Sequence, residues 1–148
     1  MRKYFLLTAM ALTGLAGTLS AGEKNMMHCF AYTAIEKATP AEWEAFQAAS
    51  DAMPKKMKGI VKRVWLGKLQ NTLNQYAVPA DARKRLAAGE KEVEAKIQFR
   101  PRQYGMCIEL VGLNNLKPYA DHPYHKEWVA AYEKVRVAGT TTYDIVGQ

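Results

Sequence analysis

The sequence predicts an α+β fold of the ferredoxin-like type, a split βαβ arrangement with two helices on one face of a four-stranded antiparallel sheet. Two observations lead to this prediction. Apolar residues alternate with the two-residue period of strands in four stretches and recur at helical spacing in two others. These stretches follow one another as strand, helix, strand, irregular excursion, strand, helix and strand, which is the order of the split βαβ plan.

The first predicted strand covers residues 27–35. Its alternation gives two uncharged faces, one with His28, Phe30 and Tyr32 and the other with Cys29, Ala31 and Thr33. Because neither face carries a charge, we predict that the strand is covered on both sides.

The first helix has a clear start signal. Thr39 and Glu42 match the capping-box pattern, with a proline between them at the first helical position. The residues that follow at helical spacing form one apolar face, which we expect to pack on the sheet; they are Trp43, Phe46, Ser50 and Met53. We predict that Pro54 ends this helix.

The second predicted strand covers residues 59–66. Its alternation places Val61 on the same face as Arg63 and Trp65. Residues 68–103 are the least regular part of the sequence, with a highly charged helical pattern over residues 81–97. We interpret them as an exposed, partly helical excursion inserted into a hairpin connection.

Residues 104–112 form the third predicted strand, with Tyr104 on one of its faces. Residues 115–135 then read as one helical turn, a break at Pro123 and a longer helix. A β-branched final strand follows at residues 140–146.

One face of this predicted sheet has no helix to cover it, and Cys29, Ala31, Cys107 and Val111 lie on that face. We therefore predict a homodimer in which a second copy covers the open sheet face. The two cysteines lie on neighbouring strands of this face. We expect two small buried thiols, and a disulfide is the alternative if they are directly opposite in an oxidising compartment.

The N-terminus has the pattern of a secretory signal peptide. Residues 1–21 combine a basic start at Arg2 and Lys3, an uncharged apolar stretch over residues 4–19, and small residues at the end. The apolar stretch is too short for a comfortable membrane span. We predict cleavage near Ala21, a secreted or periplasmic protein and no stable membrane anchor; an uncleaved anchor helix is the alternative.

The chain has a net charge of +7, which cleavage would lower to +5 by removing Arg2 and Lys3. A mildly basic domain attracts anions in general. The sequence contains no base-stacking or groove-entering motif, so we predict no nucleic-acid partner.

Three segments carry a resemblance to a known family: Met27-His28-Cys29-Phe30, Trp65-Leu66-Gly67 and Tyr119-Ala120-Asp121-His122-Pro123-Tyr124-His125. They resemble the stress-responsive A/B barrel (Dabb) family, and the last segment, a Tyr-x-x-His-Pro-x-His signature, is the specific part. The resemblance covers residues 27–67 and 104–146 of a domain at residues 27–146. It implies ferredoxin-like subunits that dimerise sheet to sheet into a dimeric α/β barrel.

The resemblance also implies site residues. Tyr119 and His125 match the active-site tyrosine and the acid/base histidine of a polyketide cyclase with this fold, and His28 matches a histidine that lines the same cavity. Tyr104 stands where that enzyme has a further histidine, so the resemblance does not carry the cyclase activity over to this chain.

We predict a protein that binds a small carbonyl compound, and the sequence does not specify its activity. The first alternative is an acid/base enzyme in which His125 and Tyr119 form the catalytic pair. A histidine that titrates near neutral pH moves protons in either direction, and a tyrosine hydroxyl polarises a neighbouring carbonyl. The ligand would be an enolisable carbonyl compound, and the reaction an aldol-type cyclisation, isomerisation or decarboxylation. The predicted binding residues are His28, Phe30, Tyr104, His122 and Trp128.

Two other hypotheses stay open. His122 and His125 could fix the break at Pro123 through backbone hydrogen bonds in a non-catalytic, stress-related dimeric module. His28, His122 and His125 could instead form a zinc or copper site. Pro123 weakens the side-by-side placement of two imidazoles, so we predict no metal and no other cofactor.

Overall fold

The computed structural model describes residues 24–147 and contains the predicted α+β architecture. Its elements are β1 (Met26–Tyr32), α1 (Pro40–Lys56), β2 (Val61–Ala77), α2 (Ala80–Ala87), β3 (Gln98–Leu110), α3 (Leu116–Asp121), α4 (Pro123–Val135) and β4 (Thr141–Val146). The four strands pair in the order β2-β3-β1-β4, and all three pairings are antiparallel. This is the ferredoxin-like arrangement that the element order predicts.

The predicted signal peptide at residues 1–21 lies outside the described residues. Within residues 24–147, no helix is long and apolar enough to cross a membrane.

The core lies between the sheet and helices α1 and α4, and aromatic rings dominate it. Phe46 of α1 stacks on Tyr132 of α4 with ring centroids 5.3 Å apart, and Phe30 of β1 lies 5.4 Å from the same tyrosine ring. A buried serine joins the two helices, because Trp128 donates from Nε1 to Ser50 Oγ at 3.0 Å. Such rings bury large apolar areas, so this face of the sheet is covered by helices of the same chain.

Helix α1 begins as predicted and ends later than predicted. The Glu42 N–H donates to Thr39 Oγ1 at 3.2 Å, and the Thr39 N–H donates to Glu42 Oε2 at 2.8 Å, which confirms the capping box. The prediction that Pro54 ends the helix is wrong. The proline removes a single backbone donor, and Met57 N–H still donates to the Met53 carbonyl at 2.8 Å, so the helix continues to Lys56.

Strand β2 is much longer than the predicted strand. It continues past Leu66 to Ala77, and residues 73–77 pair with residues 98–102 of β3. Most of the predicted excursion is therefore a long hairpin. We call residues 73–102 the hairpin arm; it includes α2, which ends at Ala87 although the helical pattern extended to residue 97. An exposed two-stranded ribbon needs no apolar alternation, so the pattern did not reveal it.

A β-bulge changes which face of β2 Val61 occupies. The register shifts between Val61 and Arg63, so Val61 pairs with Leu110 and Arg63 pairs with Glu109. Val61 is consequently buried in the helix-covered core, whereas simple alternation placed it with Arg63 and Trp65. The extra residue of the bulge is the physical reason for this error.

The open face of the sheet carries a disulfide between Cys29 and Cys107. The two cysteines are direct partners in the β1–β3 register, so their side chains leave the sheet side by side. The expectation of two free thiols is therefore wrong. Because disulfides persist in oxidising compartments, this bond fits an extracellular or periplasmic protein.

Charged and aromatic groups surround the disulfide on the open face. The Glu109 carboxylate accepts from Asn25 Nδ2 at 2.7 Å and from Lys62 Nζ at 3.0 Å, and it also pairs with Arg63. These donors, Lys62 first, hold the pKa of Glu109 at about 2. The side chains of Trp65 and Tyr143 remain about half exposed, at 52% and 49%.

Candidate functional site

A cavity of about 160 Å³ lies between the sheet and α4. We call it the histidine cavity. Five of the seven predicted site residues line it, namely His28, Phe30, Tyr119, His125 and Trp128. An apolar cavity of about 150 Å³ is large enough for benzene, so this space suits a small molecule.

The helix break at Pro123 positions two of these side chains. Helix α3 carries Tyr119 and ends at Asp121; α4 starts at Pro123 and carries His125 two residues later. His122 lies between the helices, where its Nδ1 accepts from the Tyr124 N–H at 3.1 Å and its carbonyl accepts from the His125 N–H at 2.9 Å. His122 therefore caps α4 in the way that the structural hypothesis describes, and it does not line the cavity.

Tyr119 and His125 lie in contact at the cavity wall. Their ring centroids are 4.6 Å apart in an edge-to-face arrangement, and Tyr119 is buried. Burial raises the pKa of the Tyr119 hydroxyl, so the phenol stays protonated and can donate a hydrogen bond.

Burial also lowers the pKa of His125 below its ordinary value of 6.5. The backbone of Ala120 acts in the opposite direction, and the nearby His28 adds a smaller lowering effect. His125 is consequently neutral at neutral pH, which is the form that can accept a proton.

His28 has a carboxylate partner that the sequence interpretation missed. Its Nδ1 lies 2.7 Å from Asp144 Oδ1 on the neighbouring strand β4, and its ring centroid is 5.7 Å from that of Tyr119. A carboxylate on Nδ1 fixes the orientation of an imidazole and leaves Nε2 as the acceptor in the neutral ring. A signal was present, because Asp144 is the one charged residue of the predicted strand at 140–146 and the split βαβ plan places that strand beside the first.

Tyr104 lies elsewhere in the core, although it was predicted as a binding residue. Its ring is 5.8 Å from Tyr32 and 5.0 Å from Trp43. The register explains this position, since His28 pairs with Ile108 whereas Tyr104 pairs with Tyr32, four residues further along. Four residues of strand correspond to about 13 Å.

The three-histidine metal hypothesis does not match the geometry. Among residues 24–147, no group of three or more His, Cys, Asp or Glu side chains is arranged to hold a metal ion. His122 uses its Nδ1 for the helix cap, so the potential third ligand is directed to the backbone.

No model of a known protein family matches this chain. A search of curated protein sequences also gives no significant match.

Solved structures do match the fold. A dimeric protein of unknown function from Bacteroides fragilis, with a ferredoxin-like fold, is 16% identical, with a TM-score of 0.52 over 83% of this chain and 96% of that chain. A Dabb family protein with a ferredoxin-like fold from Mesorhizobium loti is 12% identical, with a TM-score of 0.52 over 85% and 99%. A hydroxynitrile lyase from Passiflora edulis is 6% identical, with a TM-score of 0.56 over 85% and 95%.

At such identities the similarity concerns the fold alone. The chain has the ferredoxin-like fold that these proteins share, a Dabb family protein among them, and this confirms the fold that the sequence resemblance implied. A shared fold does not assign a reaction.

Proposed function

We propose that this protein binds a small carbonyl compound in the histidine cavity and transfers a proton on it, as an acid/base enzyme of the lyase, isomerase or cyclase type. The observation that carries the proposal is the contact between a neutral histidine and a protonated tyrosine at the wall of one small cavity. Such a pair supplies a base and a hydrogen-bond donor at the same place.

The proposed step uses the two side chains in different roles. His125 accepts a proton from the carbon next to the carbonyl, the C–H electron pair forms a carbon–carbon double bond, and the π electrons of the carbonyl move to its oxygen. Tyr119 donates a hydrogen bond to the resulting enolate oxygen. The protonated His125 then returns the proton to the product. His28, held by Asp144, would position the ligand against Phe30 and Trp128.

The hydroxynitrile lyase with the same fold supports this proposal, because its reaction also requires a base. Splitting a hydroxynitrile into a carbonyl compound and cyanide requires removal of the hydroxyl proton, and a neutral histidine can act as the base for that proton as well. At 6% sequence identity there is no residue correspondence, so the lyase shows only that a protein of this fold can perform such a reaction, and the proposal itself rests on the residues of the histidine cavity.

We also propose that the domain at residues 27–146 works outside the cytoplasm after removal of residues 1–21, as a homodimer joined through the open sheet face. The dimeric structures that share the fold support this assembly. The half-exposed aromatic side chains of Trp65 and Tyr143 supply apolar surface for a partner. The disulfide and the N-terminal sequence pattern support the location.

Proton exchange in deuterated water tests the catalytic proposal. Small ketones and aldehydes would be incubated with the protein, and NMR would follow the loss of the protons next to the carbonyl. His125→Ala should slow the exchange by about 100-fold or more, with an unchanged circular dichroism spectrum and melting temperature. Lys126→Ala, an exposed neighbour on the same helix, is the matched control.

The pH dependence adds a second check. The exchange rate should fall as the pH drops through the lowered pKa of His125, because the base becomes protonated there. If wild-type protein exchanged none of the compounds and mass spectrometry found no co-purified ligand, the enzymatic proposal would fail and the non-catalytic dimeric module would stand. A loss of stability in His125→Ala, with no loss of exchange, would give this residue a structural role.

A further inference from the structure

A second cavity, of about 410 Å³, lies where the hairpin arm meets the start of β4. We call it the arginine cavity. Three arginines line it, Arg83 from α2 and Arg100 and Arg102 from β3, together with neutral polar side chains from Gln75 and Thr141. Among residues 24–147, the side chains that line this cavity include no carboxylate.

Arg102 is the central feature of the arginine cavity. It is only 3% exposed, and its guanidinium contacts Thr33, just after β1, and Thr141, the first residue of β4. Its Nε donates to Gln75 Oε1 at 3.4 Å and to Thr141 Oγ1 at 3.3 Å, and its Nη1 donates to Thr33 Oγ1 at 3.2 Å. These partners are all neutral. Among residues 24–147, the side-chain partners of this guanidinium are neutral, whereas a buried charge is normally paired, so an anion that enters the cavity would meet a positive charge without an ionic partner there.

The neighbouring Arg100 adds to the positive potential of the arginine cavity. Burial first, and then the positive charge of the neighbouring Arg100, lower the pKa of Arg102. Arg100 donates from Nη2 to the neutral Gln98 Oε1 at 2.8 Å. Gly139 makes room for this guanidinium, because a Cβ built at Gly139 would lie 3.1 Å from Arg100 Nη1.

We propose that the arginine cavity is a binding site for a small oxyanion, the carboxylate or phosphate group of an organic molecule. Guanidinium groups present paired N–H donors that match the oxygens of carboxylate and phosphate. The volume leaves room for an organic group beyond the anion itself. Thr140 lines both this cavity and the histidine cavity, so the two sites are neighbours. The proposal does not depend on catalysis at His125.

Isothermal titration calorimetry of the full protein at low ionic strength tests this proposal, with inorganic phosphate and benzoate as the two probes. At least one probe should bind saturably, and the comparison tells which headgroup the site prefers. Arg83→Gln should weaken that binding about tenfold, because a charge-assisted contact is lost. Arg83 is exposed, so this variant should fold normally.

Lys84→Gln provides the matched control. It removes one positive charge from the same short helix, at an exposed residue that does not line the cavity, and it should change the affinity by less than about twofold. The bound probe should also raise the melting temperature of wild-type protein relative to sodium chloride of equal ionic strength, and the rise should be smaller in Arg83→Gln. Saturable binding of neither probe, or equal weakening by the two substitutions, would overturn the proposal.

Discussion

On the helix-covered face of the sheet, Phe46 and Tyr132 stack at 5.3 Å over Phe30, and the rings leave almost no exposed surface. On the open face, the same strands present a disulfide, a carboxylate held by three donors, and the half-exposed Trp65. One face gains its stability from apolar packing inside a single chain. The other is held by a covalent bond and by charge pairing, and it leaves apolar surface available to a partner. The two faces of one strand, such as β1, therefore contribute to stability in two different ways.

The largest expected effect comes from the covered face. Phe46→Ala should lower the free energy of unfolding by about 4 kcal/mol, because it opens a cavity among buried rings. Urea unfolding followed by circular dichroism measures this. Trp65→Ala on the open face is the matched aromatic control and should lower the stability of the isolated chain by about 1 kcal/mol or less. If both variants lost the same free energy of unfolding, the two faces would not differ in how they stabilise the single chain.

Breaking the disulfide should have the next largest effect. Cys29 and Cys107 are 78 residues apart, so their bond constrains a long loop in the unfolded chain. We expect its reduction to lower the free energy of unfolding by about 3 kcal/mol. Urea unfolding with and without a reductant measures this, and the double variant Cys29→Ala/Cys107→Ala should be insensitive to the reductant. An unchanged stability on reduction would show that packing alone holds the open face.

A charge placed on the open face should weaken the proposed dimer. Tyr143→Glu puts a carboxylate into apolar surface that a partner would cover. We expect the dissociation constant of the dimer to rise about 30-fold, which corresponds to about 2 kcal/mol. Sedimentation velocity over a concentration series measures the dissociation constant. Tyr76→Glu, on the exposed hairpin arm, is the matched control. Wild-type protein that stayed monomeric at micromolar concentration would rule out assembly through this face.

The smallest expected effect concerns Glu109 and pH. Its pKa in the folded protein is about 2, well below the ordinary value of 4.5, so the ionised carboxylate stabilises the fold. This contribution is complete above pH 4.5 and is lost as the pH falls from 4.5 towards 2. Since Lys62 and Arg63 are largely solvated, we expect about 1 kcal/mol. Urea unfolding between pH 6 and 2 measures it, and Glu109→Gln should lack this part of the pH dependence.

The features that the sequence predicted correctly depend on neighbouring residues. The capping box of Thr39 and Glu42 and the helix break at Pro123 each involve groups within a few positions, and both are present in the structure. The ferredoxin-like topology then brings five of the predicted site residues to one cavity, and this topology could be predicted from the order of the elements.

The features that the sequence analysis missed depend on strand register. The bulge at Val61, the pairing of Cys29 with Cys107 and the displacement of Tyr104 from His28 each follow from which residues stand opposite one another. Alternation gives the face of a residue but not its partner across the sheet. For the same reason Asp144 was overlooked, although its position on the last strand could be deduced from the topology.

The disulfide determines what a protease would produce by cutting the chain once between α2 and β3. Residues 88–97 have neither helix nor strand, and they expose Lys91 and Lys96 between α2 and β3. They lie inside the covalent loop that Cys29 and Cys107 close. A single cut after either lysine would therefore produce a two-chain molecule whose parts remain linked, with β1 and β3 still paired, and the two pieces would separate only after both reduction and unfolding.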